Sequence, residues 1–263
     1  MKISILLPTR NRVKELRESL DSLADTADRP SDIEVLLAID SDDSITQQFE
    51  YSKLNVKKFI FGKREEGAIG YYNKLRDFKG DVCWVWSDEN ICMTRHWDTI
   101  IRKMMEKTPA RIWMGQTYDH VVNEQGDIGR SLHPVTKTLF SYFPILPRET
   151  VETLGFVLPP CFRFWGADSM LTGIMSSVGR LFVFNSIKVR TTWVENKERH
   201  EKYKEDLEVM FKSGRANKIN EEAHIHIKDE TARLQKAIKE EIPRITWRIK
   251  FDSLKPSFKS FDD

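Results

Sequence analysis

The sequence predicts an α/β fold, an open and mostly parallel sheet flanked by helices, with a helical extension at its carboxyl end. Short apolar runs without alternation recur through the first 90 residues, and such runs suit strands buried on both faces of a parallel sheet. Amphipathic stretches of helical period separate them, which is the pattern of successive βαβ units. After about residue 195 the composition shifts to a dense mixture of Lys, Arg and Glu with a sparse apolar stripe. The expected division is a domain over residues 1–195 and a charged helical extension, 196–263, packed on it.

The elements follow in order. Residues 3–8, Ile-Ser-Ile-Leu-Leu-Pro, form the first strand, and Pro8 ends it because proline lacks the N–H that a ladder needs. Val13, Leu16, Leu20 and Leu23 then recur at helical spacing with charges between them. Residues 33–39 form a second strand that runs into Asp40-Ser41-Asp42-Asp43, with a helix near 43–52. A third strand spans 56–61 and a further helix 67–78. Gly80-Asp81 leads into Val82-Cys83-Trp84-Val85-Trp86, a fourth strand ending at Ser87-Asp88-Glu89-Asn90. Trp84 and Trp86 lie two apart on that strand and are expected in the core. The middle is less regular, with a strand at 111–114 and loops or short antiparallel strands across 117–147. Residues 148–154 and 167–178 read as helices, 181–184 and 187–189 as short strands. Leu207, Met210 and Phe211, and later Leu234, Ala237 and Ile238, give the extension its apolar stripe.

Composition excludes several classes. With 42 Lys+Arg against 40 Asp+Glu the formal charge is +2, so nothing global calls for nucleic acid, a membrane surface or a polyanion. Cys83, Cys92 and Cys161 are odd in number, lack metal-type spacing and sit beside apolar or aromatic residues, as reduced core thiols in the cytoplasm do. The apolar start is too short for a signal peptide, and no segment reaches the roughly eighteen apolar residues of a transmembrane helix, so a soluble protein is expected. Neither a G-x-G-x-x-G fingerprint nor a Walker-type loop is present.

Ligands of open parallel sheets bind beyond the carboxyl ends of the strands. Three polar clusters lie there: Thr9-Arg10-Asn11-Arg12, Asp40-Ser41-Asp42-Asp43 and Ser87-Asp88-Glu89-Asn90. Carboxylates accept from nucleobase N–H groups and ribose hydroxyls, and Arg pairs with phosphates, so together they suit a nucleotide. Singly, each cluster also suits a turn or a helix cap. The adjacent pair Asp88-Glu89 is costly unless a cation or donor offsets its repulsion. Mn2+ or Mg2+ bridging substrate phosphates is one such cation.

The first-strand segment from Ile3 to Arg12, the acidic turn at Asp40, and the run from Asn73 through Gly80-Asp81 to Asn90 resemble the family-2 inverting glycosyltransferases in order and spacing. The resemblance implies a GT-A, Rossmann-like fold and a nucleotide diphosphate sugar as donor, with a UDP-sugar favoured. It implies that Thr9 and Asp40 hold the base, and that Asp88 and Glu89 hold the ribose and a metal-bound diphosphate. Arg10, Asn11, Gly67 and Asn73 are carried over as further donor contacts. Residues 152–171 resemble the family's acceptor-side segment, in which an Asp opening a helix is the general base. Asp168 stands in that place, and Trp165 beside it is the acceptor-side aromatic. Asp168 also suits a helix start on macrodipole grounds alone. The chain departs from the pattern in reading Asp-Glu-Asn where relatives carry two or three Asp. It also has Thr191-Thr192-Trp193 where some place a metal-ligating His; His96, His133 and His200 have no stronger claim.

The acceptor is left open among glycan, protein and modified nucleic acid. Two rival readings stand beside transfer to a hydroxyl. One is transfer onto modified nucleic-acid bases, with the basic residues of 196–250 as docking surface. The other is a non-catalytic nucleotide-sugar-binding module whose altered acidic motif has lost activity. The C-terminal helices are also where a homo-oligomer would form.

Overall fold

The computed structural model describes residues 1–62, 65, 67–123, 126–130, 142–160, 162, 167–192 and 229–239. Four strands run parallel in the order β3 (Asn55–Phe61), β2 (Ile33–Asp40), β1 (Ile3–Pro8) and β4 (Val82–Val85). Lack of alternation in β1 has a direct cause. Ile3, Ile5 and Leu7 enter one apolar cluster with Leu16, Leu20 and Leu23 of α1 (Val13–Thr26). Leu6 enters the other cluster, with Ile69 and Tyr72 of α3 (Ala68–Lys74). Both faces of the strand are therefore covered, and each buried Leu or Ile contributes about 1.5–3 kcal/mol. β3 is the sheet edge, and its burial alternates accordingly.

Beyond β4 the sheet is mixed. It continues through β8 (Ile145–Pro147), β6 (Met114–Asn123) and β9 (Leu181–Thr192) to β5 (Asn90–Cys92), while β7 (Gly126–Arg130) pairs with β6. β8 is antiparallel to both β4 and β6, β9 is parallel to β6, and β5 is antiparallel to β9. This arrangement carries a constraint. β4 and β5 stand four pairing steps apart, about 19 Å in a flat sheet, yet Val85 and Asn90 are five residues apart, a reach of at most about 17 Å. A turn closed by Asn90 N–H donating to the Ser87 carbonyl (3.1 Å) shortens that reach further. The sheet must curl, and Asp88-Glu89 lies on the turn that joins its two limbs.

Several elements differ from the sequence expectation. The helix near 43–52 is a single turn, α2 (Ser44–Gln47), because Phe49 and Leu54 leave it to fill the core. The strand expected at 111–114 starts at Met114 and runs on to Asn123. The short strands at 181–184 and 187–189 are one strand, β9, with a register shift opposite Thr117 and Tyr118. Residues 97–107, given no element above, form α4 (Trp97–Lys107), whose Trp97, Ile101 and Met105 make a buried i, i+4, i+8 stripe. α5 (Arg148–Leu154) and α6 (Ala167–Ser177) fall where expected. Of the extension, residues 229–239 are described: they form a helix that buries Leu234 in the α3-side cluster, and Arg233 donates to the Leu154 carbonyl (2.9 Å). Leu207, Met210 and Phe211 lie outside the described residues. Cys83 and Cys92 are buried free thiols, with burial raising the pKa of each, that of Cys92 to about 11; Cys161 lies outside the described residues. Among the described residues no helix is long and apolar enough to cross a membrane.

A polar staple fixes the amino ends of the strands. Glu34, 1% exposed, accepts from the Ser4 hydroxyl (2.6 Å), the Lys57 ammonium (2.7 Å) and the Lys79 N–H (3.2 Å). The Ser4 hydroxyl accepts in turn from the Gly80 N–H at 2.9 Å, and a Cβ on Gly80 would stand 2.5 Å from the same oxygen. Burial pushes the Glu34 pKa up, but Lys57, Ser4 and Lys79 outweigh it and leave the carboxyl below its ordinary value of 4.5. A depressed carboxyl pKa contributes stability that is fully present above the unfolded value and is lost as pH falls through the folded one. Glu34→Gln should therefore cost about 1–3 kcal/mol at neutral pH and unfold with a shallower loss of stability below pH 4.5. Denaturant titrations at several pH values measure both, and an unchanged acid slope would show that another group titrates.

Candidate active site

The three polar clusters stand side by side because β2, β1 and β4 are neighbours running in one direction. The loop after β1 links the other two. Thr9, its N–H on the Ala38 carbonyl (3.1 Å), turns its hydroxyl to Asp88 Oδ2 (2.7 Å). The Arg10 guanidinium donates to Asp40 Oδ2 (2.6 Å) and takes Asp42 in a two-point fork (2.5 and 2.8 Å). Asp42 and then Asp40 hold the Arg10 charge far above its ordinary pKa. Arg12 reaches the other way, to Glu89 Oε1 (2.5 Å) and Asp88 Oδ1 (3.1 Å). Burial opposes the Arg12 charge, but Asp88 and Glu89 prevail and raise its pKa. Asp40 and Asp88 are buried, at 5% and 7% exposure.

Between the two arginines the backbone turns at Asn11, which has a left-handed φ of 53°. That conformation is uncommon outside Gly, Asn and Asp. The Asn11 N–H donates to Asp43 Oδ2 (2.9 Å), while Asp43 Oδ1 caps α2 by accepting from the Thr46 N–H (3.0 Å). One carboxylate thus holds both the loop and the helix start. Burial works to raise the Asp43 pKa, and the bonds from Thr46 and Asn11 outweigh it and lower it.

α3 covers this edge with two tyrosines. The Tyr71 hydroxyl donates to Asp40 Oδ1 and accepts from the Glu65 N–H (3.0 Å), while the Tyr72 hydroxyl donates to the Trp86 carbonyl (2.8 Å). Burial and then Asp40 raise the Tyr71 pKa to about 12. Gly67 is the cap residue of α3 in extended conformation, open to any residue type. The Asn73 side chain is taken up by backbone: its amide donates to the Leu158 carbonyl (2.8 Å) and accepts from the Val157 (2.8 Å) and Leu158 (3.1 Å) N–H groups. It therefore ties α3 to the segment that precedes α6.

Asp168 lies in the first turn of α6 and is half-buried. Trp165, His133 and His200 lie outside the described residues. Trp84 and Trp86 are core residues, fully buried, with their indole N–H groups on the Phe143 carbonyl (3.0 Å) and the Ser19 hydroxyl (2.8 Å). His96 precedes α4, its ring nitrogen meets Asp28 (2.5 Å), and its backbone N–H donates to the Thr26 carbonyl at the far end of α1, about 20 Å from the site. Thr191 donates to Asn90 Oδ1 (2.9 Å) and ties β9 to the acidic turn.

The sequence reading missed Tyr71 and the role of Arg12. Asp43 lay in the acidic cluster it singled out, with a helix cap as the other reading of that cluster, and its side chain does cap α2. Tyr71 carried no signal, since only the fold brings a helix face over the end of β2.

A curled Rossmann-like sheet whose acidic and basic side chains converge at the carboxyl ends of β2, β1 and β4 defines the chain as a GT-A-type α/β protein. The chain belongs to glycosyl transferase family 2, whose model matches residues 4–165, and it carries that family's glycosyltransferase domain. Among solved structures it is similar to S. aureus TarS. The 1–349 fragment with UDP gives a TM-score of 0.59 at 19% identity over 73% of this chain and 61% of that one. The same fragment with UDP-GlcNAc gives 0.58 at 18%, over 74% and 60%. TarS itself gives 0.58 at 19%, over 73% of this chain and 37% of that one. At that identity the likeness shows the GT-A fold. The chain thus spans less than two thirds of each of these proteins. A search of curated proteins finds no match.

Proposed function

We propose that the chain is an inverting glycosyltransferase that moves a sugar from a UDP-sugar to a hydroxyl acceptor. The observation that carries the reading is the family match over residues 4–165 together with the convergence of Thr9, Arg10, Asp40, Asp88 and Glu89 at one sheet edge. The UDP and UDP-GlcNAc complexes of TarS support a uridine donor.

In this reading Asp40, oriented by Tyr71 and Arg10, accepts from the N–H of the base, with Thr9 beside it. Arg10 and Asn11 face the nucleotide, Gly67 lets the start of α3 approach it, and Asn73 acts by positioning, through its bonds to residues 157 and 158. Asp88 takes the ribose. Trp165 remains the proposed acceptor-side aromatic. Asp168 takes the proton of the acceptor hydroxyl as its oxygen attacks the anomeric carbon from the side opposite the diphosphate. The bond to the diphosphate breaks, UDP leaves, and the configuration inverts.

The donor chemistry fits a divalent cation. Asp88 and Glu89 are adjacent carboxylates, oxygen ligands of the kind Mn2+ and Mg2+ take, and both would hold it. When bound, the cation supplies positive charge to the departing diphosphate. Arg12 now bridges the same two carboxylates and so competes for that place.

Incubation with a panel of nucleotide sugars and Mn2+ tests the function: slow release of UDP from one of them is expected. Binding without turnover would favour a non-catalytic module, and a chain that neither binds nor cleaves any of the donors would overturn the reading.

Four variants test the parts. Asp40→Ala should weaken UDP binding about 10- to 100-fold, the worth of a hydrogen bond to a charged group, with or without metal. Calorimetry reads this, and equal affinities would remove Asp40 from the base site. Glu89→Ala should weaken Mn2+ binding whereas Arg12→Gln should strengthen it, because one removes a ligand and the other a competing cation. Equal Mn2+ isotherms for both variants and the native chain would exclude the metal site. Asp168→Asn keeps a helix-start side chain but abolishes its basicity, so turnover should fall about 10²- to 10⁴-fold with UDP affinity unchanged. Near-native transfer by the folded variant would leave Asp168 as a capping residue.

A further inference from the structure

The acceptor side of the crevice has a wall to which the roles above assign nothing. Trp84 of β4 pairs with Ile145 of β8, and Ile145 with Gly115 of β6. Both pairings are antiparallel, so β6 runs in the direction of β4. Residues beyond Gly115 therefore climb toward the edge that carries Asp88 and Glu89. Alternation puts Thr117 and Asp119 on one face, where the Thr117 hydroxyl donates to Asp119 Oδ1 (2.6 Å). Gln116, Tyr118 and His120 share the other face. The Tyr118 and His120 rings lie nearly parallel there, 25° apart with centroids 6.4 Å apart, and both residues are half-buried.

α6 passes over that face. Gln116 Nε2 donates to Thr172 Oγ1 at 3.1 Å. The helix runs from the crevice edge downward, since β9, which follows it, begins at Leu181 paired with Met114 at the amino end of β6. Asp168 precedes Thr172 by four residues, so it shares the helix face and stands about 6 Å nearer the edge. Tyr118 follows Gln116 by two residues, about 6.6 Å in the same direction. The Gln116–Thr172 bond acts as a common origin for both steps. Ideal helix and strand rises thus set Asp168 and Tyr118 at about the same height above that bond, with His120 next outward.

We propose that Tyr118 and His120 form the acceptor-binding wall opposite Asp168, and that the acceptor they take is a sugar or polyol ring. The stacked pair offers an aromatic ring face against which the C–H face of one such ring can pack. A ring packed on this wall presents a hydroxyl toward Asp168. The proposal rests on the glycosyltransferase reading and on Asp168 as the base.

The test uses the full chain, the UDP-sugar that it hydrolyses, and a series of methyl pyranosides as acceptor probes. Tyr118→Ala and His120→Ala should each raise the acceptor KM about tenfold, the scale of a lost aromatic packing contact, with UDP affinity as in the native chain. Tyr118→Phe keeps the ring and should stay within about threefold of native, a fraction of the same scale. An unchanged acceptor KM in a Tyr118→Ala protein that binds UDP normally would overturn the wall. Transfer to none of the pyranosides from a donor that the native chain hydrolyses would overturn it too. Loss of the base reading shows separately: Asp168→Asn would then leave kcat intact, while Tyr118→Ala would still move KM. Failure of the function itself would show earlier, as no donor bound or cleaved.

Discussion

The loop after β1 holds the candidate site together by charge. Asp40 and Asp42 on one side, and Asp88 and Glu89 on the other, would repel one another at close range. Arg10 binds the first pair and Arg12 the second, from positions two residues apart. Asn11 makes this geometry available, because its left-handed backbone sends the flanking side chains in opposite directions and its N–H is anchored on Asp43. Thr9 adds a third tie, to Asp88. Four consecutive residues thus bridge strands that are not themselves paired, β2 and β4, at the end where the ladder has run out.

Curling of the sheet extends this arrangement to the other side. Because the turn from β4 to β5 is too short to cross a flat sheet, β6 and β9 swing round toward the acidic turn, and Thr191 meets Asn90 there. α6 meets β6 through the Gln116–Thr172 bond, near the amino end of the strand. Under the proposed reading the donor-side groups come from the first limb and the acceptor-side groups from the second, with Asp88 and Glu89 on the turn between them. A short connector and a pairing order would then be enough to set two unlike walls against each other.

The parallel limb was legible in the sequence because its strands are buried on both faces, so they read as unbroken apolar runs and their polar successors stood out. Thr9, Asp40, Asp88 and Glu89 were found on that ground and are neighbours in space. The second limb resisted for a physical reason. β6 carries Gln116, Thr117, Tyr118, Asp119 and His120, a polar and aromatic mixture with no strand-like alternation, because one of its faces holds the Thr117–Asp119 hydrogen bond and the other the Gln116–Thr172 bond beside the Tyr118 and His120 rings. β9 read as two pieces because its register shifts midway. α4 went unseen although Trp97, Ile101 and Met105 are helically spaced, since Asp98 and Arg102 are buried within the same helix and blur its polar face. Asn73 lay in a matching segment, but sequence alone could not tell that its amide is taken up by the backbone at 157 and 158.

Charge balance constrains how a donor would enter. Among the described side chains at this edge, the carboxylates of Asp40, Asp42, Asp88 and Glu89 outnumber the guanidinium groups of Arg10 and Arg12. A nucleoside diphosphate adds further negative charge to a partly desolvated place, where repulsion is weakly screened. Under the proposed reading the arginines cannot serve both the carboxylates and the diphosphate at full strength. If Arg12 turns to the diphosphate, Asp88 and Glu89 lose their partner and become a stronger divalent-cation site at that moment. If the cation arrives first, Arg12 is released toward the phosphates. In that reading either order would couple donor and metal through one guanidinium, and each ligand would raise the affinity for the other by the same factor. Arg12 would then be the group whose exchange of partners lets a cluster of carboxylates receive an anion.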